Sequence, residues 1–90
     1  MNIRYSRRAL SQLASVYEYL EERNQSAADN VVASIRTAIA RLKEMPLLGK
    51  ATDEEGVYVS VEREYHYRIF YTIEREQVFV VRILHGRQSR

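Results

Sequence analysis

Apolar and polar residues alternate along this chain in two different periods, and the change of period divides it into halves. From Tyr65, the residues Tyr65, Tyr67, Ile69, Tyr71 and Ile73 fall on one side, and His66, Arg68, Phe70 and Thr72 on the other. Successive strand side chains point to opposite faces, so this is the pattern of a β-strand. A second strand runs from Gln77 to Leu84 and is apolar at every residue from Val78 to Val81, which implies cover on both faces, at least in part. Strict alternation puts Arg82 on the face of Val78 and Val80. The turn between the two strands, Glu74-Arg75-Glu76, has none of the glycine or asparagine of a two-residue hairpin. It reads as a three- to five-residue loop around a type I turn. The strand pair runs out into His85, Gly86 and Arg87.

The first half has the longer period. After a short edge-like strand, Asn2 to Tyr5, Ser6 stands where a helix N-cap is needed. Ala9, Leu10, Leu13, Val16, Tyr17 and Leu20 then recur at spacings of three and four, which makes one helical stripe. Asn24 and Gln25 form a break, and Ser26 is the expected cap of a second helix. Its stripe is Ala28, Val31, Val32, Ile35, Ala38, Ile39 and Leu42. Pro46 ends it and drives Met45 out of the α region. A wet connector from Leu47 to Gly56 leads to a third alternating run, Val57 to Val61, and a charged turn at Glu62 to Glu64. The order is therefore β-α-α-β-β-β. This is an α+β fold, with a two-helix antiparallel hairpin packed on one face of a small, mainly antiparallel sheet. Its 90 residues suffice for one domain, residues 1–90.

Composition removes several chemistries. There are no cysteines, so no disulfide, thiolate metal site or cysteine nucleophile can form. Only two histidines, His66 and His85, are available to ligate a metal, and no cofactor is implied. The charged N-terminus is not followed by an apolar segment, so no signal peptide is read. No apolar run approaches the roughly 20 residues of a membrane span. Cytoplasmic residence is the expectation.

The net charge of +2 is too small to imply nucleic-acid binding by itself. Its distribution is more telling, because residues 82–90 contain Arg82, Arg87 and Arg90 and no acid. Arginine suits planar, bidentate contact with carboxylate or phosphate. Asp53, Glu54 and Glu55 read as a solvated loop and not as a paired-carboxylate site. Arg68 and Arg82 are charges inside strands and require a reason: a salt bridge to Glu62, Glu64 or Glu76, a partner, or a function. If both point away from the helices, they form a positive concavity with Arg87. RNA cleavage there would need arginine to stabilise phosphorane-like charge, and a histidine or tyrosine for proton transfer.

The order of these features resembles the RelE/ParE toxin superfamily over residues 3–87. The resemblance is carried by Ser6, Ala9 and Leu13 with Tyr17 and Leu20, then by Ile35, Ala38, Ile39, Leu42, Pro46 and Gly49. It continues through Tyr67-Arg68-Ile69 and Tyr71, and through Val78, Val80, Arg82-Ile83-Leu84-His85-Gly86-Arg87. The ending is especially similar to the ParE branch.

The resemblance implies the toxin half of a type II toxin–antitoxin pair, which arrests growth and serves plasmid or genome maintenance. A ParD-like or similar cognate antitoxin would neutralise it. ParE-like members act on DNA gyrase as inhibitors and not as enzymes, whereas RelE-like members cleave messenger RNA on the ribosome. Arg68 and His85 match nuclease positions, but Gly86 replaces the tyrosine that would follow. The mid-chain lysines of some nucleases are missing too, since Lys43 and Lys50 are not on a predicted strand. A related nuclease subtype uses a glutamate before the hairpin, for which Glu54 or Glu55 would stand. The expectation is thus a ParE-like gyrase inhibitor whose target surface holds Arg82, His85, Arg87 and Arg90. Arg68, Arg82 and Arg87 would receive the antitoxin. The alternative is a ribosome-dependent endoribonuclease centred on Arg68 and His85.

Overall fold

The computed structural model describes residues 1–86. The elements are β1 (Asn2–Tyr5), α1 (Arg7–Glu21), α2 (Gln25–Glu44), β2 (Lys50–Ala51), β3 (Tyr58–Glu62), β4 (Tyr67–Glu74) and β5 (Gln77–His85). The expected order holds, with one addition: the two-residue strand β2, too short to register as a pattern. The strands form one sheet in the order β1-β5-β4-β3-β2. β1 runs parallel to β5, and the other pairs are antiparallel.

Local chemistry explains the helix limits. The Ser6 side chain accepts the Ala9 N–H at 2.9 Å and caps α1. α2 is capped by Asn24, whose side chain accepts the Ala27 N–H at 3.0 Å. Ser26 therefore lies inside the helix. Asn24 can start α2 this early because its own N–H closes α1 on the Leu20 carbonyl at 2.7 Å. Met45, ahead of Pro46, leaves the helix at φ −131°, ψ 74°.

The core lies between the helices and one sheet face. Ala9 and Leu13 of α1 and Ile35, Ile39 and Leu42 of α2 meet Ile69, Tyr71, Val78, Val80 and Ile83. Each fully buried aliphatic side chain contributes about 1.5–3 kcal/mol. Tyr71 is fully buried, yet its hydroxyl is satisfied. It donates to the Pro46 carbonyl at 2.8 Å and accepts the Gly49 N–H at 2.9 Å, which ties the connector to the sheet.

Two features depart from the sequence reading. Glu74 pairs directly with Gln77, so the β4–β5 turn has only two central residues. Arg75 and Glu76 both take positive φ, 48° and 62°, as a type I′ turn requires. The long flanking ladder imposes this conformation in place of local glycine. The second departure is a β-bulge. Phe70 pairs with Arg82 and Tyr71 with Val80, leaving Val81 as the extra residue. Every side chain after it changes face relative to strict alternation. Arg82 therefore lies across the sheet from Val78 and Val80, and Ile83 takes the core position.

Candidate functional site

The bulge determines what each face presents at the end of β5. On the face away from the helices, Val57, Phe70 and Leu84 are buried together, with Val59 and Val81 packed against them. Phe70 has no exposed surface. The Arg82 guanidinium carbon stands 4.2 Å from the centre of its ring, and that of Arg68 5.8 Å. Arg82 also meets Glu54, at 3.4 Å. The arginine side chain keeps only 13% of its surface and the glutamate 62%, so the contact with Phe70 holds Arg82 more than the ion pair does. Its Nε is buried with no hydrogen-bond partner among the described residues. Further along the same face, Arg4 lies 5.7 Å from the Phe79 ring. Arg68 and Arg82 thus do share the open face, as aromatic-backed cations.

His85 is elsewhere. It stands opposite Tyr67 in the ladder, and directly opposed residues of an antiparallel pair share a face. The two rings meet edge to face at 5.1 Å. Tyr67 packs against the helix-side core, so His85 belongs to that side. Burial, and then the negative charge of Glu62, push the Tyr67 hydroxyl pKa above its ordinary value of 10.0. Arg68, one residue on, is opposite Leu84 on the open face. The sheet brings Arg68 together with Arg82 and separates both from His85. Arg87 and Arg90 lie outside the described residues.

The sequence reading placed Glu62 in a charged turn and offered it as a salt-bridge partner for Arg68 or Arg82; its carboxylate instead serves Ser34 and the turn backbone. Glu62 is only 3% exposed. Its carboxylate accepts the Ser34 hydroxyl at 2.6 Å and the N–H groups of Glu64 at 2.9 Å and Tyr65 at 3.0 Å. One buried anion thereby folds the β3–β4 turn and docks it on α2. At that turn His66 adopts a left-handed φ of 68°, and its carbonyl accepts the Gly86 N–H at 2.6 Å. The turn and the exit of β5 are therefore hooked together. Glu62 continues the set Tyr58 and Ser60, which faces the helices, while Val57 and Val59 pack on the open face; the valine alternation pointed the other way and left Glu62 unmarked. Among the described residues, no three of His, Asp and Glu converge closely enough to hold a metal ion.

Two grooves flank the helices. One, of about 340 Å³, runs between α1 and α2 and is lined by Leu10, Leu13, Ala14, Tyr17, Glu18, Val32 and Arg36. Leu10 is half exposed there, although it belongs to the helical stripe. The other, of about 610 Å³, lies between α2 and the edge of β3, with Arg41, Lys50 and Arg63 on its walls. Lys50 is on a strand after all, on β2, opposite Val59 of β3. Because β2 has two residues, β3 has no partner strand beyond Val59 on that side among the described residues.

Comparison with known proteins agrees with this architecture. The family model described as ParE toxin of type II toxin-antitoxin system, parDE, matches residues 3–90. A relative from Sinorhizobium fredii (strain NBRC 101917 / NGR234), named "Putative toxin Y4kP", is 34% identical over 87 residues, covering 97% of this chain and 90% of the relative. The chromosomal ParDE TA system from P. aeruginosa superposes with a TM-score of 0.84 at 16% identity, over 94% of this chain and 95% of that one. The isolated E. coli RelE toxin gives 0.70 at 18% identity, over 99% and 87%. With its fold shared by both toxins and its sequence matched from Ile3 to Arg90, this chain belongs to the ParE toxin family of type II toxin–antitoxin systems.

Proposed function

We propose that this toxin is a stoichiometric inhibitor of DNA gyrase, acting in the cytoplasm and held inactive by a cognate antitoxin. The end of β5, with Arg82 and His85, and the following residues Arg87 and Arg90 form the target surface. The observation that carries this reading is the separation of His85 from Arg68 and Arg82. Ribonuclease chemistry needs a proton-transfer group and a cation on the same phosphodiester. Here the histidine packs on Tyr67 on one side of the sheet, and the arginines pack on Phe70 on the other. A binding surface has no such requirement, since it can draw on both faces of a strand end.

The antitoxin follows from family membership. The solved P. aeruginosa relative is a ParDE toxin–antitoxin system, and a further relative of the same fold is a RelBE2 toxin–antitoxin complex from Mycobacterium tuberculosis. The apolar groove between α1 and α2 suits an amphipathic helix, and the uncovered edge of β3 suits an extended segment. Arg68 and Arg82 offer charge to acidic residues of that partner.

Endoribonuclease activity on the ribosome is the second reading. It is favoured by the cations Arg4, Arg68 and Arg82 on the open face, beside aromatic rings. Induction in cells distinguishes the two. Gyrase inhibition gives growth arrest with broken chromosomal DNA and intact messages, whereas ribonuclease action gives cut messages and intact DNA.

A further inference from the structure

The last third of β5 is held at its edge by a helix and not by a strand. β1 accompanies β5 only as far as the Tyr5–Val80 pair, and the chain then turns into α1. Beyond that point lies the bulge, which removes Val81 from the ladder. A bulge leaves backbone groups without strand partners, and buried groups of this kind require others. α1 supplies them. Ser6 Oγ donates to the Val81 carbonyl at 2.8 Å, and Gln12 Oε1 accepts the Ile83 N–H at 2.7 Å. The Ser6 N–H also donates to the Val80 carbonyl at 2.9 Å.

We propose that Gln12, assisted by Ser6, is a positioning residue that holds the end of β5 in its bulged register and so sets which face each target-contacting side chain presents. Without the bulge, strict alternation would send Arg82 into the helix-covered core and His85 to the open face. Val80 and Val81 do not decide between the registers, because two identical side chains fit either. Burial of Ile83 with Arg82 kept out of the core favours the bulged register, and the two side chains of the α1 cap and first turns add hydrogen bonds that fit this backbone. Ser6 has a second duty as N-cap of α1, whereas the Gln12 side chain bonds the strand without capping the helix, so Gln12 is the position to test.

This inference rests on the end of β5 being the target surface, and the experiment separates the two claims. Gln12→Met keeps the length of the side chain and loses the acceptor, and Gln12→Glu retains an acceptor oxygen. Asn24→Ala, at the α2 cap, serves as a control for general destabilisation. Amide exchange is followed residue by residue, and activity is scored both as gyrase inhibition and as growth arrest on induction. In Gln12→Met, exchange at Ile83 rises roughly tenfold or more relative to Ile69, and the amount of protein needed for activity rises with it. In Gln12→Glu both stay near wild type, and Asn24→Ala changes neither selectively. Unchanged Ile83 exchange in Gln12→Met, or faster exchange with full activity, overturns the proposal. If the wild-type protein arrests growth without inhibiting gyrase, the gyrase reading fails, and growth arrest alone decides the role of Gln12.

Discussion

His85 and Tyr67 face each other at the end of the β4–β5 ladder, their rings 5.1 Å apart and 85° from parallel. That pairing fixes the histidine on the helix side of the sheet, while its neighbour in the sequence, Leu84, is buried on the opposite side with Phe70. Independent action of the two faces is the direct consequence. The effects of Arg68→Ala and His85→Ala on toxicity should add in the double variant, within about 0.5 kcal/mol when expressed as free energies. Residues of one catalytic centre behave otherwise, since either single loss then costs nearly as much as both. A dose–response series on the four proteins makes the comparison.

Arg82 gives a second prediction. Its contact with Phe70 is close and nearly dry, and its contact with Glu54 is wet. Arg82→Lys keeps the charge and loses the guanidinium beside the ring, so it should cost about 1–2 kcal/mol of stability in urea unfolding. Glu54→Gln should cost less than about 0.5 kcal/mol. A larger loss at Glu54 than at Arg82 contradicts this assignment.

Glu62 should prove the more demanding residue of the β3–β4 turn. Glu62→Ala leaves the Ser34 hydroxyl and the N–H groups of Glu64 and Tyr65 without their acceptor. A loss of about 2–4 kcal/mol is expected, with the amides of residues 64 and 65 exchanging faster than those of β4. Exposed acids nearby, such as Glu64, should be nearly silent on replacement.

Gly49 is fixed by contact. A Cβ at this position would lie 2.6 Å from the Val59 carbonyl oxygen and 2.7 Å from the Tyr71 hydroxyl. The obstacle is largely backbone and cannot rotate away. Gly49→Ala should therefore destabilise by about 1–3 kcal/mol, and Gly56→Ala should act only through its positive φ of 80°, having open space around it.

The tyrosines predict an alkaline limit. Burial raises the pKa of both Tyr67 and Tyr71 above 10.0 in the folded chain. Between about pH 10 and the higher folded value, the unfolded chain releases protons that the folded chain keeps, so stability falls as pH rises through that window. Below it the contribution is complete. Tyr71→Phe should flatten this decline, although it lowers stability at pH 7 by leaving the Gly49 N–H without its acceptor. Urea midpoints between pH 7 and 11 provide the check.

The helices and the core were legible in the sequence because Ile35, Ile39 and Leu42 recur at helical spacing and a single proline, Pro46, marks the stop. Ser6 was equally plain, being the only small hydroxyl between the first strand and the first stripe. The features that set the site were not. Val80 and Val81 are identical, so neither announces that it is extra, and the backbone groups around the bulge are bonded from more than 70 residues away by Ser6 and Gln12. Arg75 and Glu76 adopt a turn that local propensity assigns to asparagine and glycine, because the ladder on either side requires it. Glu62 looked like solvent-facing charge, since an acid buried by backbone N–H donors has the same letter as one in water.

The central claim, that this toxin acts on gyrase, is tested most directly by a supercoiling assay with purified, folded protein freed of antitoxin. The account predicts inhibition near one toxin per gyrase site, with cleaved DNA accumulating and with weaker inhibition by Arg82→Ala and His85→Ala. Full supercoiling in the presence of excess folded toxin, together with cut messages on translating ribosomes, would contradict it.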